Sequence, residues 1–517
     1  MISSKHSKKY FVGFALFLLA IQVQAQINPN ANYHAPVFLD SLRTEKIKAV
    51  APVIKKMYSD FAKVNHIPGY AFGIVVDGKL VCSGSDGYAD LHNKIPATTQ
   101  SMFRIASMSK SFTAMAIVQL RDAGKLQLDE PISTYIPALK NQGLTKDAAE
   151  ITIRQLLTHS AGFPEDNPWG DRQLADTEEE LIHLFKKGIS FSNVNGTTYE
   201  YSNVGFATLG YIIKKVSGVP YSKYIREHIW KPLGINAEWE YSTIPTNLLA
   251  KGYRWINNNW TEEILLHDGI YGAMGGMITS VESFSKYMAL HQYAWPARND
   301  ADNNIIKRSS IREMHQPWRF NALNSSFKYA DDRVCPTTTG YGYGLAILRD
   351  CDNKLMVGHS GGLPGFGSNW RILPDYGIGV VFLANKTYAP AAAINLSVID
   401  NLISLAKLTP INIGVSAILS KRRNELVKLL PHFSEAATSG IFAENFFADY
   451  LISSIRAEAE AIFNESGTIL SVEEVVPENQ LRGYFIMHGE KGNVKISFTL
   501  TPENPGLIQE YHISLLK

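Results

Sequence analysis

The chain has 517 residues, with 50 Lys+Arg against 48 Asp+Glu and a formal net charge of +2. Its 45% hydrophobic and 19% charged content is a globular mix and excludes a disordered or coiled-coil chain. No long basic run offers a nucleic-acid footprint, and three cysteines, none in a C-x-x-C pair, make neither a disulfide scaffold nor a metal knuckle.

The N-terminus reads as an export signal. Lys5, Lys8 and Lys9 precede an apolar run from Tyr10 to Ile21, and Val23-Gln24-Ala25 resembles a small-residue cleavage site. A membrane span needs about 20 apolar residues; this run is shorter, so residues 1–25 are expected to be a removed signal peptide. The mature chain then has no stable membrane span and is periplasmic or secreted.

Apolar positions at three- and four-residue steps predict a helix over 38–64. Tyr70–Val76 and Lys79–Cys82 flank Asp77-Gly78, a hairpin-turn pair. Helices are predicted at 107–124, 151–158, 176–187, 205–216, 220–230 and 280–293. Strands return at 342–349, 354–358, 368–373 and 377–384, before a helix at 389–407. Sheet residues thus bracket a helical body, which is not the regular alternation of a doubly wound fold. Leu408-Thr409-Pro410-Ile411-Asn412 breaks the pattern as a linker. Helices at 416–430 and 442–460 follow, then strands at 467–474, 480–488, 493–501 and 507–516, a separate small α+β unit.

Three stretches carry chemistry. Ser107 and Lys110, in Ser107-Met108-Ser109-Lys110, share a face if a helix starts near Ser107. The helix dipole favours an oxyanion beside the Ser107 hydroxyl, and a Lys one turn later accepts its proton if burial or charge lowers the amine pKa. Tyr201 and Asn203, in Tyr201-Ser202-Asn203, can point the same way; the phenol needs a cation such as Lys110 beside it to act as a base near neutrality. His359-Ser360-Gly361-Gly362 follows an apolar stretch read as an edge strand, able to line the opposite wall of a cleft.

Taken in order as S-x-x-K, Y-x-N and H-x-G, these motifs give a chain that resembles the penicillin-recognising serine hydrolases. That family includes class C β-lactamases, D-Ala-D-Ala carboxypeptidases, D-aminopeptidases and related esterases. The likeness covers roughly 35–405 and includes the phrase from Ile151 to Gly162. It implies an α+β fold: an antiparallel sheet flanked by helices, with an inserted helical subdomain. It also implies a serine hydrolase domain over 26–407, beside an accessory domain over 413–517 whose element order resembles the NTF2-like fold.

The resemblance implies Ser107 as the acylated nucleophile, with Lys110 and Tyr201 as proton carriers. Asn203, His359, Ser360 and Gly361 would bind substrate, and the N–H groups of Ser107 and Gly362 would form the oxyanion hole. No metal or cofactor is implied. The partner is a small-molecule or peptide substrate: D-amino-acid or cell-wall peptides, or small esters. A β-lactamase or a slowly deacylating penicillin-binding sensor is the alternative. Class C enzymes carry Lys-Thr-Gly where this chain has His359-Ser360-Gly361; a His is mostly neutral at pH 7, so carboxylate-bearing lactams should bind less strongly.

Gly358-His359-Ser360-Gly361-Gly362 also spells the G-x-S-x-G elbow of α/β-hydrolases. That alternative would use Ser360 with His432, His488 or His512, and it needs a strand, a sharp turn and then a helix. His159 reads as a hydrogen-bonded structural residue. Asp268–Gly276 reads as a flexible loop, which the resemblance alone places near the site. Trp169, Tyr271 and Trp370 are either cleft-lining or core. Cys335 and Cys351, 16 apart, are open to either a bridge or free thiols, with Cys82 left over.

Overall fold

In a computed structural model, residues 33–516 are described; the expected signal peptide lies outside them. The chain divides into two compact units, Ala35–Asn412 and a smaller one from Ile413 onward.

The larger unit opens with α1 (Arg43–Val64), which buries Ile47, Ile54, Tyr58 and Ala62 along one stripe. Its hairpin partners are β1 (Gly69–Val76) and β2 (Lys79–Asp90). Asp77 and Gly78 between them both have positive φ, +49° and +77°, as a type I′ turn demands. Seven more strands complete an antiparallel sheet: β3 (Ile95–Pro96), β4 (Arg319–Asn324), β5 (Thr337–Tyr341), β6 (Ala346–Asp350), β7 (Leu355–Leu363), β8 (Phe366–Leu373) and β9 (Ile378–Ala384). Their order is β3-β2-β1-β9-β8-β7-β6-β5-β4. The two sequence-distant parts of the sheet join where β1 pairs β9, Tyr70 opposite Ala384. Every residue of β1 and β9 is buried, so helices must cover both faces.

Four longer helices follow α1: α2 (Lys110–Asp122), α3 (Asn203–Ser217), α4 (Val281–Tyr293) and α5 (Ala391–Leu405). With α1, α5 packs one core against the sheet, including Tyr58, Phe72, Phe382 and Val398. The helical body and α4 pack the other, including Phe112, Tyr287 and Trp370. Local chemistry sets the helix ends. Ser202 caps α3 by accepting the Gly205 N–H, and Gly218 ends it at φ +80°. Capping boxes at Thr152/Gln155 and Thr177/Glu180 start the short helices Ile153–Leu157 and Glu178–Lys187.

The structure departs from expectation in several places. β7 is interior, flanked by β6 and β8, because Pro364 and Gly365 (φ +88°) turn the chain straight into β8. β4 and β5 lack an alternating pattern: β4 is an edge strand that leaves Phe320 and Leu323 exposed, and β5 reads Thr337-Thr338-Thr339-Gly340-Tyr341. The hairpin Gly252–Ile256/Asn259–Glu263 was also missed. The stretch 342–345 is loop, where Gly344 needs φ +65°.

Cys335 and Cys351 form a disulfide, and Cys82 stays outside it, half-buried. No helix among the described residues is long and apolar enough to cross a membrane. In the smaller unit, Ala417–Leu429 and Ile452–Ser466 are the longer helices, with a break at Tyr450-Leu451 inside the single predicted helix 442–460. An antiparallel sheet follows, and its strand Asn493–Leu500 alternates half-buried and buried positions over a separate core containing Phe433, Phe446, Phe485 and Phe498.

A buried polar chain crosses the larger unit. The Tyr58 hydroxyl donates to Asn395 Oδ1 at 2.8 Å, and Asn395 Nδ2 donates to Asn369 O and Oδ1 at 2.9 Å each. Asn369 Nδ2 donates in turn to Ser360 Oγ at 3.0 Å. Asn395→Ala strands the Tyr58 hydroxyl and the Asn369 carbonyl, at about 1–3 kcal/mol for each group left unsatisfied. Urea unfolding should show that loss; a change below about 0.5 kcal/mol would contradict it.

Candidate active site

The segment before Ser107 is pinned from several sides. The Ile105 N–H donates to Met277 O at 2.9 Å, and Ser368 Oγ donates to Ile105 O at 2.7 Å. Ala106 has φ +52°, a left-handed conformation that costs a non-glycine residue about 1–2 kcal/mol. Ser107 therefore sits in a tight 3-10 turn, Ala106–Ser109, one step ahead of the α-helix expected to hold it. β7 comes very close here: a Cβ on Gly361 would lie 2.2 Å from Ile105 O and 2.3 Å from Ser368 Oγ. Only glycine fits.

Lys110 opens α2 with its side chain wholly buried. Its Nζ donates to Ser107 Oγ at 3.0 Å, Asn203 Oδ1 at 2.7 Å and Met274 O at 3.0 Å. Burial pulls its pKa down to about 7, against the opposing pull of Asp171 and Asp166. Met274 belongs to the short helix Gly272–Gly275. The stretch expected as a flexible loop is thus mostly buried, and Tyr221 ties it down by donating to Asp268 Oδ1 at 2.9 Å.

Tyr201 precedes α3, with the Lys110 Nζ 4.8 Å from its ring centre. A neighbouring cation is expected to lower this phenol. Burial instead pushes it well above its usual 10, with a hydrogen bond to Ser107 acting the other way. The phenol keeps its proton at neutral pH. His159 packs on the Tyr201 ring at 4.3 Å, accepts the Ser202 N–H at Nδ1, and is held neutral by burial. It is a structural residue.

Asn203 is fully buried, and its amide is engaged at both ends: Oδ1 with Lys110, Nδ2 with Asn167 Oδ1 at 2.7 Å. In this structure it orients Lys110, and its groups do not face the cleft. Asp166 caps α3 by accepting the Asn203 and Val204 N–H groups at 2.7 and 2.8 Å.

His359 is also buried. Its Nδ1 donates to Ser360 O, and its Nε2 accepts from the Tyr341 hydroxyl at 2.7 Å. Burial drops its pKa to about 3, so the ring is neutral at pH 7. Ser360 is exposed within β7, and a hairpin to β8 follows it. The elbow alternative is thereby corrected, because no helix follows Ser360 and its hydroxyl is held by Asn369.

A cleft of about 570 Å³ is lined by Ser107, Tyr201, His359, Ser360, Gly361 and Gly362. It is also lined by Asn167, Pro168, Asp171 and Tyr388, which sequence reasoning missed. Their signal was faint: a turn-rich Asp166-Asn167-Pro168-Trp169-Gly170-Asp171 and a lone Tyr after a strand. Asp171 Oδ2 accepts from the Tyr388 hydroxyl at 2.8 Å. Trp370 and Tyr271 are core, and Trp169 is about half exposed. A larger cavity, about 1090 Å³, is lined by residues such as Leu80, Leu290 and Trp295 and holds none of the expected site residues. Among the described residues, the group of potential metal ligands is Cys335, Cys351 and Asp352, and its two sulfurs are joined as the disulfide.

A family profile described as Beta-lactamase matches residues 54–402. Penicillin-binding protein 4* of Bacillus subtilis is 28% identical over 330 residues, 60% of this chain and 66% of that protein. Protein flp of Staphylococcus aureus is 28% identical over 338 residues, 63% of this chain and 61% of that protein. The chain spans about three fifths to two thirds of the length of the curated relatives it matches. The octameric penicillin-binding protein homologue from Pyrococcus abyssi shares the fold at TM-score 0.57 and 22% identity, over 90% of this chain and 96% of that one. A penicillin binding protein from Bacillus halodurans does so at 0.53 and 23%, over 66% and 98%.

The closeness of β7 to Ile105 yields a test. Gly361→Ala should destabilise the protein by about 1–3 kcal/mol as the strand is pushed off the Ser107 turn. Urea unfolding with near-UV circular dichroism reads this, and an unchanged midpoint would contradict the close contact.

Proposed function

The chain belongs to the beta-lactamase family, a family of serine hydrolases, and on that premise we propose that it hydrolyses amide or ester bonds through an acyl-enzyme on Ser107. One observation carries the reading: a buried lysine with pKa near 7 lies 3.0 Å from the Ser107 hydroxyl. Neutral Lys110 takes the hydroxyl proton as Oγ attacks the carbonyl carbon. The oxyanion that forms is held by the N–H groups of Ser107 and Gly362, where one donor is worth about 3 kcal/mol. Tyr201 gives its proton to the departing amine or alcohol, and the Lys110 ammonium restores it. Water then enters by the same steps in reverse.

The substrate class is peptides, with D-amino-acid or cell-wall-type bonds, or small esters. Asp171 is the one formally charged residue among the described residues lining the cleft, and His359 is neutral there. Neither offers a fixed cation to a substrate carboxylate, so efficient turnover of carboxylate-bearing lactams is disfavoured. His432, His488 and His512 each pair with a Glu of their own unit, which leaves the chemistry to the larger unit. The Lys-rich leader and the Cys335–Cys351 disulfide support an exported protein.

Ser107→Ala should lower kcat/KM for a nitrophenyl ester on the order of 10⁴-fold or more without altering the unfolding midpoint. Residual wild-type rates would overturn the reading. The pH profile gives a second check. Only the deprotonated Lys110 can act as base, so kcat/KM should rise with pH through about 7. His359, near 3, and His159, held well below its ordinary range by burial, do not titrate in that window. A flat profile from about pH 5 to 9 would remove Lys110 from the role.

A further inference from the structure

Tyr388 stands apart from the proton-transfer machinery yet shapes the cleft. It follows β9 in the short stretch Asn385–Ala389, where its N–H donates to Phe366 O at 3.0 Å. Its backbone is left-handed at φ +51°, a conformation that surrounding contacts must hold in a non-glycine residue. The residue is 44% exposed, so it does not serve as core. It packs over β7: a Cβ on Gly362 would lie 2.7 Å from Tyr388 Cδ1. Its hydroxyl crosses to Asp171, which is 2% exposed in the turn Gly170–Arg172 of the helical body. That turn is itself fixed, since the Gly170 N–H donates to Asp166 O and a Cβ on Gly170 would meet Asn203 Cβ at 2.9 Å. One side chain therefore spans from the sheet wall to the helical wall, and both of its ends line the cleft with Ser107.

The direction of the strand says which part of the substrate meets this span. The rings of Tyr201 and His359 are 6.3 Å apart. Gly362 lies three residues further on, ~10 Å along β7. A leaving group protonated by Tyr201 lies toward the His359 end, so the acyl group extends toward Tyr388.

We propose that Tyr388 is a specificity-determining residue: its ring is the wall that limits acyl length, and its hydroxyl bond to Asp171 holds that wall in place. The inference rests on acylation at Ser107. Cutting the bond loosens the wall, and removing the ring opens it.

The experiment measures kcat/KM for p-nitrophenyl acetate, butyrate and octanoate with the full-length wild type, Tyr388→Ala, Tyr388→Phe and Ser107→Ala. The quantity read is the octanoate-to-acetate ratio, with melting curves confirming that the variants fold. Tyr388→Ala should raise the ratio about tenfold or more, the scale on which a pocket discriminates chain length. Tyr388→Phe, which keeps the ring and loses the bond, should raise it by a smaller factor of about three. A wild-type ratio in Tyr388→Ala, with Ser107→Ala inactive, overturns the wall while leaving the Ser107 reading standing. A wild-type ratio in Tyr388→Phe alone overturns the role of the Asp171 bond. Undiminished turnover by Ser107→Ala, or none by the wild type, brings down the acyl-enzyme reading and this inference with it.

Discussion

A primary amine removed from water is the constraint around which the site is organised. Taking an ammonium out of water costs several kcal/mol unless its protons find partners. Lys110 has three: Ser107 Oγ, Asn203 Oδ1 and Met274 O. Those acceptors hold the side chain in one place without fully repaying the lost hydration. The amine accordingly gives up its proton near pH 7 instead of 10.5. The same burial that lowers Lys110 raises Tyr201 and lowers His159 and His359, so one desolvated environment pushes four titratable groups toward their neutral forms.

Each acceptor is supplied by a different piece of chain, and much of the surrounding architecture holds those pieces still. Asp166 pins the start of α3 and therefore Asn203. Tyr221 and Asp268 hold the turn that presents Met274 O. The strained Ala106, the pinned Ile105 carbonyl and the bare α-carbon of Gly361 set Ser107 against β7. Strain of this kind persists where neighbouring contacts over-determine it. The polar chain from Tyr58 through Asn395 and Asn369 to Ser360 extends the same rigidity to the far side of the sheet.

Much of this was legible in the sequence, for identifiable reasons. Periodicity showed α1, and Asp77-Gly78 gave the first hairpin because few pairs tolerate two positive φ values. Three ordered motifs carried the family, which the profile over 54–402 shows. Long-range electrostatics was not legible. Nothing in Tyr201-Ser202-Asn203 reveals that burial outweighs a neighbouring cation, or that Asn203 turns inward to Lys110. Asp166, Asp171 and Tyr388 were hidden because their meaning lies in contacts made far along the chain: Asp166 with Asn203 across 37 positions, and Asp171 with Tyr388 across 217. β4 and β5 escaped because neither carries an alternating apolar pattern: β4 exposes Phe320 and Leu323 at the sheet edge, and β5 is a run of Thr337, Thr338 and Thr339 ahead of Gly340.

The most direct test of the account is to treat the folded protein with a serine-reactive alkyl phosphonate and locate the adduct by peptide mass spectrometry. The account predicts a single adduct on Ser107, formed faster as pH rises past neutrality. An adduct on Ser360 or any other residue, or Ser107 left unmodified while the protein turns over an ester, would contradict it.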